Sequence, residues 1–256
     1  MEFFVLKEGT FAIDKNKNFT LFDAKTKKKT DFTGSVFLDI QPFLVRTSQD
    51  LVLLDAGVGA KTTNNELILV QNLREVGVQP EQITKVLMSH LHKDHVGGLV
   101  QQVNNQWQLT FPNATHYISK PEWDWVHELA SENYNYPAFA FLLQSGNVVF
   151  IEGDGVINDV ISYQLTGGHT PYHTAFLFNE NNEYIYFGGD ILTMPQQIGS
   201  SLLVKSDKFP KEANAFRKIV VEQAIAQNWI CLFYHGYRTK VGRIRIENDG
   251  FKVINP

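Results

Sequence analysis

Ser89-His90-Leu91-His92-Lys93-Asp94-His95-Val96-Gly97-Gly98 follows directly on a short apolar run, Lys85 to Met88. That run reads as a buried strand, and the polar stretch as the loop at its end. Imidazole nitrogens and carboxylate oxygens are the donors that zinc takes at about 2.0–2.2 Å. In extended chain His90, His92 and Asp94 face one side and His95 faces another. One loop therefore offers ligands toward two metals. Gly97-Gly98 lets the backbone turn behind the loop into a helix. With 8 His and 13 Asp in 256 residues, this spacing arises by chance in roughly 4 of 10,000 chains of the same length. Four such groups at the end of a buried strand crowd costly polar atoms together unless something coordinates them.

Outward from this loop the chain alternates strands with helices. Phe3–Leu6, Thr10–Ile13, Pro42–Arg46 and Leu51–Leu54 read as strands, the last two joined by the hairpin signal Thr47-Ser48-Gln49-Asp50. Leu67, Val70, Leu73 and Val76 recur at helical spacing, which predicts a helix from near Asn64 that Gly77 stops. Thr115–Ser119 is a strand, and Pro121 opens a helix through about Ala130. Val148–Ile151, Val160–Leu165, Ala175–Phe178, Tyr184–Phe187 and Ile230–Tyr234 are further strands, with a helix over Lys211–Gln227. Val241–Ile246 and Phe251–Ile254 flank the hairpin turn Asn248-Asp249-Gly250. Strand-rich halves with intervening helices predict two packed sheets with helices outside, in one domain over residues 1–256.

Composition narrows the class. Hydrophobic residues make up 43% and charged residues 20%, enough apolar material for a core. A single cysteine, Cys231, excludes a disulfide framework and reads as a small buried hydrophobe. The net charge of −4 argues against a nucleic-acid partner, and no apolar run approaches a membrane span. Met1–Lys7 has no basic start and only four apolar residues in a row, so the expected location is the cytoplasm.

His90-x-His92-x-Asp94-His95 resembles the signature of the metallo-β-lactamase superfamily. The family's other motifs have counterparts in order: Thr166-Gly167-Gly168-His169-Thr170-Pro171, Phe187-Gly188-Gly189-Asp190 and Tyr234-His235-Gly236. Leu53-Leu54-Asp55-Ala56-Gly57 resembles the strand end whose aspartate supports the metal loop. The resemblance covers about residues 40–240 and implies an α+β fold, the four-layer αβ/βα sandwich (metallo-β-lactamase fold). It implies that His90, His92 and His169 hold one metal, that Asp94, His95 and His235 hold another, and that Asp190 bridges them. It implies two zinc ions, with iron or manganese also served by a sulfur-free donor set. Two divalent ions, two aspartates and a bridging hydroxide leave such a centre at about +1 with neutral histidines. Asp94 is the expected proton carrier, as base and then acid. His173 is expected to stand behind the ligands.

Motif order and spacing resemble the acyl-homoserine lactonase branch, as do His169-Thr170-Pro171-Tyr172-His173-Thr174 and Lys120-Pro121-Glu122-Trp123-Asp124-Trp125. The departure is Thr193, where those lactonases carry a tyrosine that touches the substrate carbonyl. Substrate contacts are expected from Tyr136 and Phe139 of the aromatic stretch 134–141, and from Tyr172, Thr193 and Met194. The expected activity is metal-dependent hydrolysis of a small ester-like molecule, a lactone first. A phosphodiesterase or phosphotriesterase of the same superfamily is the alternative enzyme, and a non-catalytic metal-binding protein the alternative outside catalysis. A small-molecule substrate is the expected partner, and a homodimer is compatible with the sequence.

Overall fold

The structure, a computed structural model, describes residues 1–129, 136–201, 203–248 and 250–256, without the side chains of Leu129 and Tyr136. The N-terminal half runs β1 (Glu2–Val5), β2 (Gly9–Ile13), β3 (Phe19–Phe22), β4 (Val36–Ile40), β5 (Phe43–Arg46), β6 (Leu51–Leu54), α1 (Ile68–Glu75), β7 (Lys85–Leu87) and α2 (Lys93–Val96). Then follow β8 (Val100–Val103), β9 (Gln106–Leu109), β10 (Thr115–Ser119), α3 (Lys120–Leu129), α4 (Tyr136–Gln144) and β11 (Val148–Ile151). The C-terminal half runs β12 (Gly155–Val156), β13 (Ile161–Leu165), β14 (Thr174–Glu180), β15 (Glu183–Phe187), α5 (Pro210–Ala226), β16 (Ile230–Leu232), β17 (Val241–Glu247) and β18 (Gly250–Ile254).

Two sheets form the middle of the molecule. One has the order β1-β5-β6-β7-β10-β11, the other β12-β13-β14-β15-β16-β17-β18. Their central strands, β5–β7 and β14–β16, are mostly buried on both faces, which is why they read as apolar runs rather than alternating ones. The two-residue period still sorts the side chains. Phe43 and Val45, Val52 and Leu54, Phe176 and Phe178, Ile185 and Phe187, and Ile230 and Leu232 fill the core between the sheets. Their neighbours Leu44 and Leu53 point outward to the layer of α1, α3 and α4. Tyr186 and Cys231 point outward to α5, packing with Val220, Val221 and Ala224. The order of layers is helix, sheet, sheet, helix, as expected, and Cys231 is a buried, unpaired small side chain.

Several local expectations change. The helix expected from Asn64 begins at Ile68, because Thr62 Oγ1 takes the N–H groups of Asn64 and Glu66 and closes a turn there. Residues 19–22 and 36–40 are strands, joined to β2 in a separate sheet of order β3-β2-β4. Val100–Val103 and Gln106–Leu109 form a hairpin around Asn104 and Asn105, both in the left-handed region. Asp249 of the final turn lies outside the described residues. Among the described residues no helix is long and apolar enough to cross a membrane.

Candidate metal centre

The edge that carries the site is built from strand ends. Parallel pairing aligns β6 with β7 and β15 with β16. Asp55, the 89–95 loop, Asp190 and His235 therefore leave the two sheets at one edge, and His169 joins them from the β13–β14 connection. Backbone bonds lace these loops together. Thr174 N donates to Ser89 O at 2.8 Å, Ala56 N to His95 O at 2.6 Å, Lys208 N to His169 O at 3.0 Å and His235 N to Thr193 O at 3.0 Å.

The metal loop is not extended throughout. His92 caps α2, so Asp94 and His95 sit on a helical turn and face a different direction from His90 and His92. The turn is followed, not preceded, by Gly97-Gly98. A Cβ on Gly97 would lie 2.2 Å from the Val58 backbone, so a side chain there would push the loop off its support.

The seven expected ligand residues converge in two clusters. His90, His92, His169 and Asp190 offer donor atoms all within 4.8 Å of one another, as do Asp94, His95 and His235. Asp190 faces both: Oδ2 is 3.1 Å from His169 Nε2, while Oδ1 is 3.2 Å from His235 Nε2 and 3.4 Å from His95 Nε2. Asp94 Oδ2 lies 3.6 Å from His235 Nε2 and 3.7 Å from His95 Nε2.

The outer nitrogens explain how the inner ones are aimed. His90 Nδ1 is 3.0 Å from Ser89 Oγ, whose own proton goes to Asp55 Oδ2 at 2.7 Å, so the imidazole is the donor. His95 Nδ1 donates to Asp55 Oδ2 at 2.6 Å and His169 Nδ1 to Asp207 Oδ1 at 3.0 Å. His235 Nδ1 donates to the Asp39 carbonyl at 2.7 Å. Each of these four rings is then left with a bare Nε2 lone pair pointing inward. His90 Nε2 and His169 Nε2 meet His92 Nδ1 at 2.9 and 3.1 Å, which a single proton on His92 cannot satisfy twice. His95 Nε2 and Asp190 Oδ1 are buried with no hydrogen-bond partner. Converging lone pairs and an orphaned carboxylate oxygen are the pattern that divalent cations satisfy, so the residues present fit a pair of metal ions.

Electrostatics points the same way. Burial pulls the His95 proton affinity down, but Asp190, Asp94 and Asp55 outweigh it and raise its pKa well above the ordinary imidazole value. His235 is likewise raised against burial, chiefly by Asp190. This cluster therefore draws positive charge. His90 and His92 lie well below the ordinary value, through burial first and then neighbouring imidazoles, so that cluster presents neutral ligands.

Behind the ligands stand the expected Asp55 and His173, and with them Asp207, Tyr234 and Glu122, to which the sequence reading gave no role. Asp55 adopts φ 54°, uncommon for a side-chain-bearing residue, and its carboxylate takes Ser89 N, Ser89 Oγ and His95 Nδ1. Asp207 also takes Arg217 Nη2 at 2.7 Å. Tyr234 stacks on His95, centroids 4.2 Å apart, and donates its hydroxyl to the Asp94 carbonyl at 2.6 Å. His173 accepts the Asp190 N–H at 3.0 Å and donates Nδ1–H to Thr166 Oγ1 at 2.7 Å, which places it behind the cluster. Glu122 of α3 is buried and accepts the Thr170 hydroxyl at 2.9 Å, while its other oxygen has no partner.

A cleft of about 690 Å³ opens over the site, lined by His92, Asp94, His169, Asp190 and His235 among the seven residues. Thr193, Met194 and Gln197 line one side, and Ile13, Phe19, Val36 and Leu38 of the small N-terminal sheet line another. Among the described residues of the 134–141 stretch none lines the cleft. Phe139 is 3% exposed and packs against Trp123 in the outer core, because α4 turns its apolar face to β8, β9 and α3. Tyr172 is half-buried and outside the lining, and Tyr134, Asn135 and the Tyr136 side chain lie outside the described residues.

An αββα sandwich with two imidazole–carboxylate clusters at the strand ends defines a class of metal-binding proteins. The sequence profile of the metallo-beta-lactamase superfamily matches residues 37–218, and the chain belongs to that superfamily. An N-acyl homoserine lactonase of Bacillus sp is 25% identical over 159 residues, 55% of this chain and 58% of that one. The match thus spans less than two thirds of that relative's length. Among solved structures, a probable metal-dependent hydrolase from Staphylococcus aureus superposes with a TM-score of 0.75 at 21% identity, covering 94% of this chain and 91% of that one. The dizinc quorum-quenching lactonase AidC, solved with N-hexanoyl-L-homoserine, superposes with a TM-score of 0.74 at 24% identity, covering 99% and 94%. These two likenesses establish the fold.

Proposed function

We propose that this chain is a dinuclear zinc hydrolase of a small ester-like substrate, most directly a lactone. The observation that carries the reading is the set of outer hydrogen bonds from His90, His95, His169 and His235, which leaves their inner nitrogens bare and convergent. In this reading His90, His92 and His169 hold one ion, and Asp94, His95 and His235 the other. Asp190 would serve both, since its two oxygens face the two clusters. When bound, the ions supply Lewis acidity and a water acidified toward about pH 7. Asp94 carries the proton: its carboxylate reaches the cleft while its carbonyl is held by Tyr234. The lactonase relatives support a lactone as the substrate class.

Thr193 does not stand in for the lactonase tyrosine. Its N–H and its hydroxyl both donate to Gln197 Oε1, at 2.7 and 3.2 Å. A backbone N–H only donates, so the amide oxygen is fixed on that side and Nε2 is turned away from Thr193. Gln197 lines the cleft beside Asp190, and its amide N–H polarises the substrate carbonyl.

Metal analysis with a hydrolysis panel tests the reading. Two zinc ions per chain and a kcat/KM for lactones above that for phosphotriesters are expected. Two bound ions with no turnover of lactone, ester or phosphate ester refute the catalytic reading.

A further inference from the structure

The cleft lining contains three lysines, Lys17, Lys93 and Lys205, and four aspartates, Asp14, Asp94, Asp190 and Asp207. Every aspartate is committed. Asp14 accepts Asn16 N, Asn18 N and Asn18 Nδ2 at 2.8–2.9 Å, which ties off the β2–β3 turn. Asp207 is shared by His169 and Arg217, and Asp94 and Asp190 belong to the metal clusters. No lysine is committed: among the described residues none of the three ammonium groups has a carboxylate within ion-pair distance. Lys7, Lys85, Lys120 and Lys252 are ion-paired elsewhere; other lysines, among them Lys61, Lys211 and Lys218, have no ion pair among the described residues, so what sets these three apart is that they line one cavity. A chain of net charge −4 thus places three lysines without ion pairs around one cavity; Asp14, hydrogen-bonded only by neutral amides, keeps its negative charge there. The three lysines come from three segments: the β2–β3 turn, the metal loop, and the loop before α5. The neighbouring wall, Ile13, Phe19, Val36 and Leu38, is apolar, and Val36 is 62% exposed.

We infer that the substrate is an amphiphilic anion, an ester or lactone whose apolar arm lies on the N-terminal sheet and whose anionic group is taken by Lys17 and Lys205 at the cleft mouth. The inference rests on the hydrolase reading and narrows its substrate class. A neutral acyl chain uses the apolar wall alone and leaves three solvated ammonium groups idle. An added carboxylate or phosphate gains attraction from the lysines that line the cleft, and this attraction is screened by salt.

The test uses the metal-loaded chain and two esters of equal length, 4-nitrophenyl hexanoate and mono-4-nitrophenyl adipate. At low salt the adipate ester is expected to have the higher kcat/KM by about tenfold, ~1.4 kcal/mol. The ratio falls toward one at ~1 M salt, where the screening length is about 3 Å. It also falls in the Lys17→Gln/Lys205→Gln double variant and persists in Lys17→Arg/Lys205→Arg, with melting temperature checking that each variant folds. A ratio at or below one, or a ratio indifferent to loss of both lysines, overturns the inference. If neither ester is turned over, the lactone and phosphate-ester panel decides the hydrolase reading, and calorimetric binding of the matching anilides decides the inference. A tenfold preference for the anionic anilide that the double glutamine variant loses supports it, and equal affinities overturn it.

Discussion

Glu122→Gln offers a direct measurement of what burial does beneath the site. Glu122 sits at the third residue of α3, is fully buried, and has one oxygen on the Thr170 hydroxyl and one with no partner. Burial raises its pKa from 4.5 to about 7, with the Thr170 bond pulling the other way. A folded value above the unfolded one means that the folded state binds the proton more tightly. The associated stability is fully present below pH 4.5 and is lost as pH rises through about 7. The interval corresponds to ~3 kcal/mol over that window. Glutamine keeps the acceptor for Thr170 and removes the titration.

Equilibrium denaturant unfolding from pH 5 to 8.5, in chelator, is the assay. At pH 5 the variant should lie close to the unmodified protein, and by pH 8.5 it should be the more stable by ~3 kcal/mol. Glu8, raised by burial to about 8, titrates in the same direction but is common to both proteins and cancels in the difference. Two stability curves that run parallel across this range would refute the reasoning, because the carboxyl would then be ionised in the folded chain throughout.

Other substitutions probe the centre itself. His92→Ala should abolish hydrolysis and reduce bound metal while the circular dichroism spectrum stays unchanged, since the ring lies on the cleft and not in the core. Asp207→Ala frees the His169 ring and leaves Arg217 buried without its counter-charge. Chelator competition should show metal affinity down by about 10- to 100-fold, and denaturation a loss of ~3–5 kcal/mol. Gly189 has φ +46°, and a Cβ there would sit 2.5 Å from Ser89 Cβ and 2.8 Å from His173 Nε2, so Gly189→Ala should lower the melting temperature and weaken metal binding together. Gln197→Leu should lower kcat by about tenfold or more with little change in KM, as expected for a donor used mainly in the transition state.

The sandwich was legible because its central strands are mostly buried on both faces and read as apolar runs, as in Phe43–Arg46, Leu51–Leu54 and Ile230–Leu232. The 89–98 stretch was legible because four ligand-type residues stand within six positions. His169, Asp190 and His235 were reached only through motif resemblance, since nothing in their local sequence separates them from other polar residues. The groups behind them were hidden by distance in sequence. Asp207 meets His169 across 38 residues, Tyr234 meets the Asp94 carbonyl across 140, and His235 meets the Asp39 carbonyl across 196. Glu122 carried a misleading signal: Ser119-x-x-Glu122 is the pattern of a helix cap, and Ser119 Oγ does accept Glu122 N at 3.4 Å, but the carboxyl goes to Thr170 instead. The small sheet over the cleft was missed because β3 and β4 bury little on their own and flank the lysine-rich stretch 25–29.

That small sheet links fold to specificity. β4 ends at Ile40, and the residues at that end also hold the metal side of the cleft. Asp39 gives its carbonyl to His235, and Gln41 Nε2 donates to the carbonyls of Phe233 at 2.6 Å and Gly236 at 3.0 Å. The same strand presents Val36 and Leu38 to the cavity. Substrate wall and ligand support are thus one continuous segment. Burying apolar surface against Val36 and Leu38 favours the register of β4 that orients His235. An ion held by His235 would in turn favour the strand position that forms the wall. By linkage the two bindings reinforce each other to whatever extent β4 moves in the free chain. The clustered histidines and aspartates come from loops at the ends of both sheets, so ions held there would also tie the two halves of the sandwich together. Occupancy of the centre and stability of the fold are therefore coupled in the same direction.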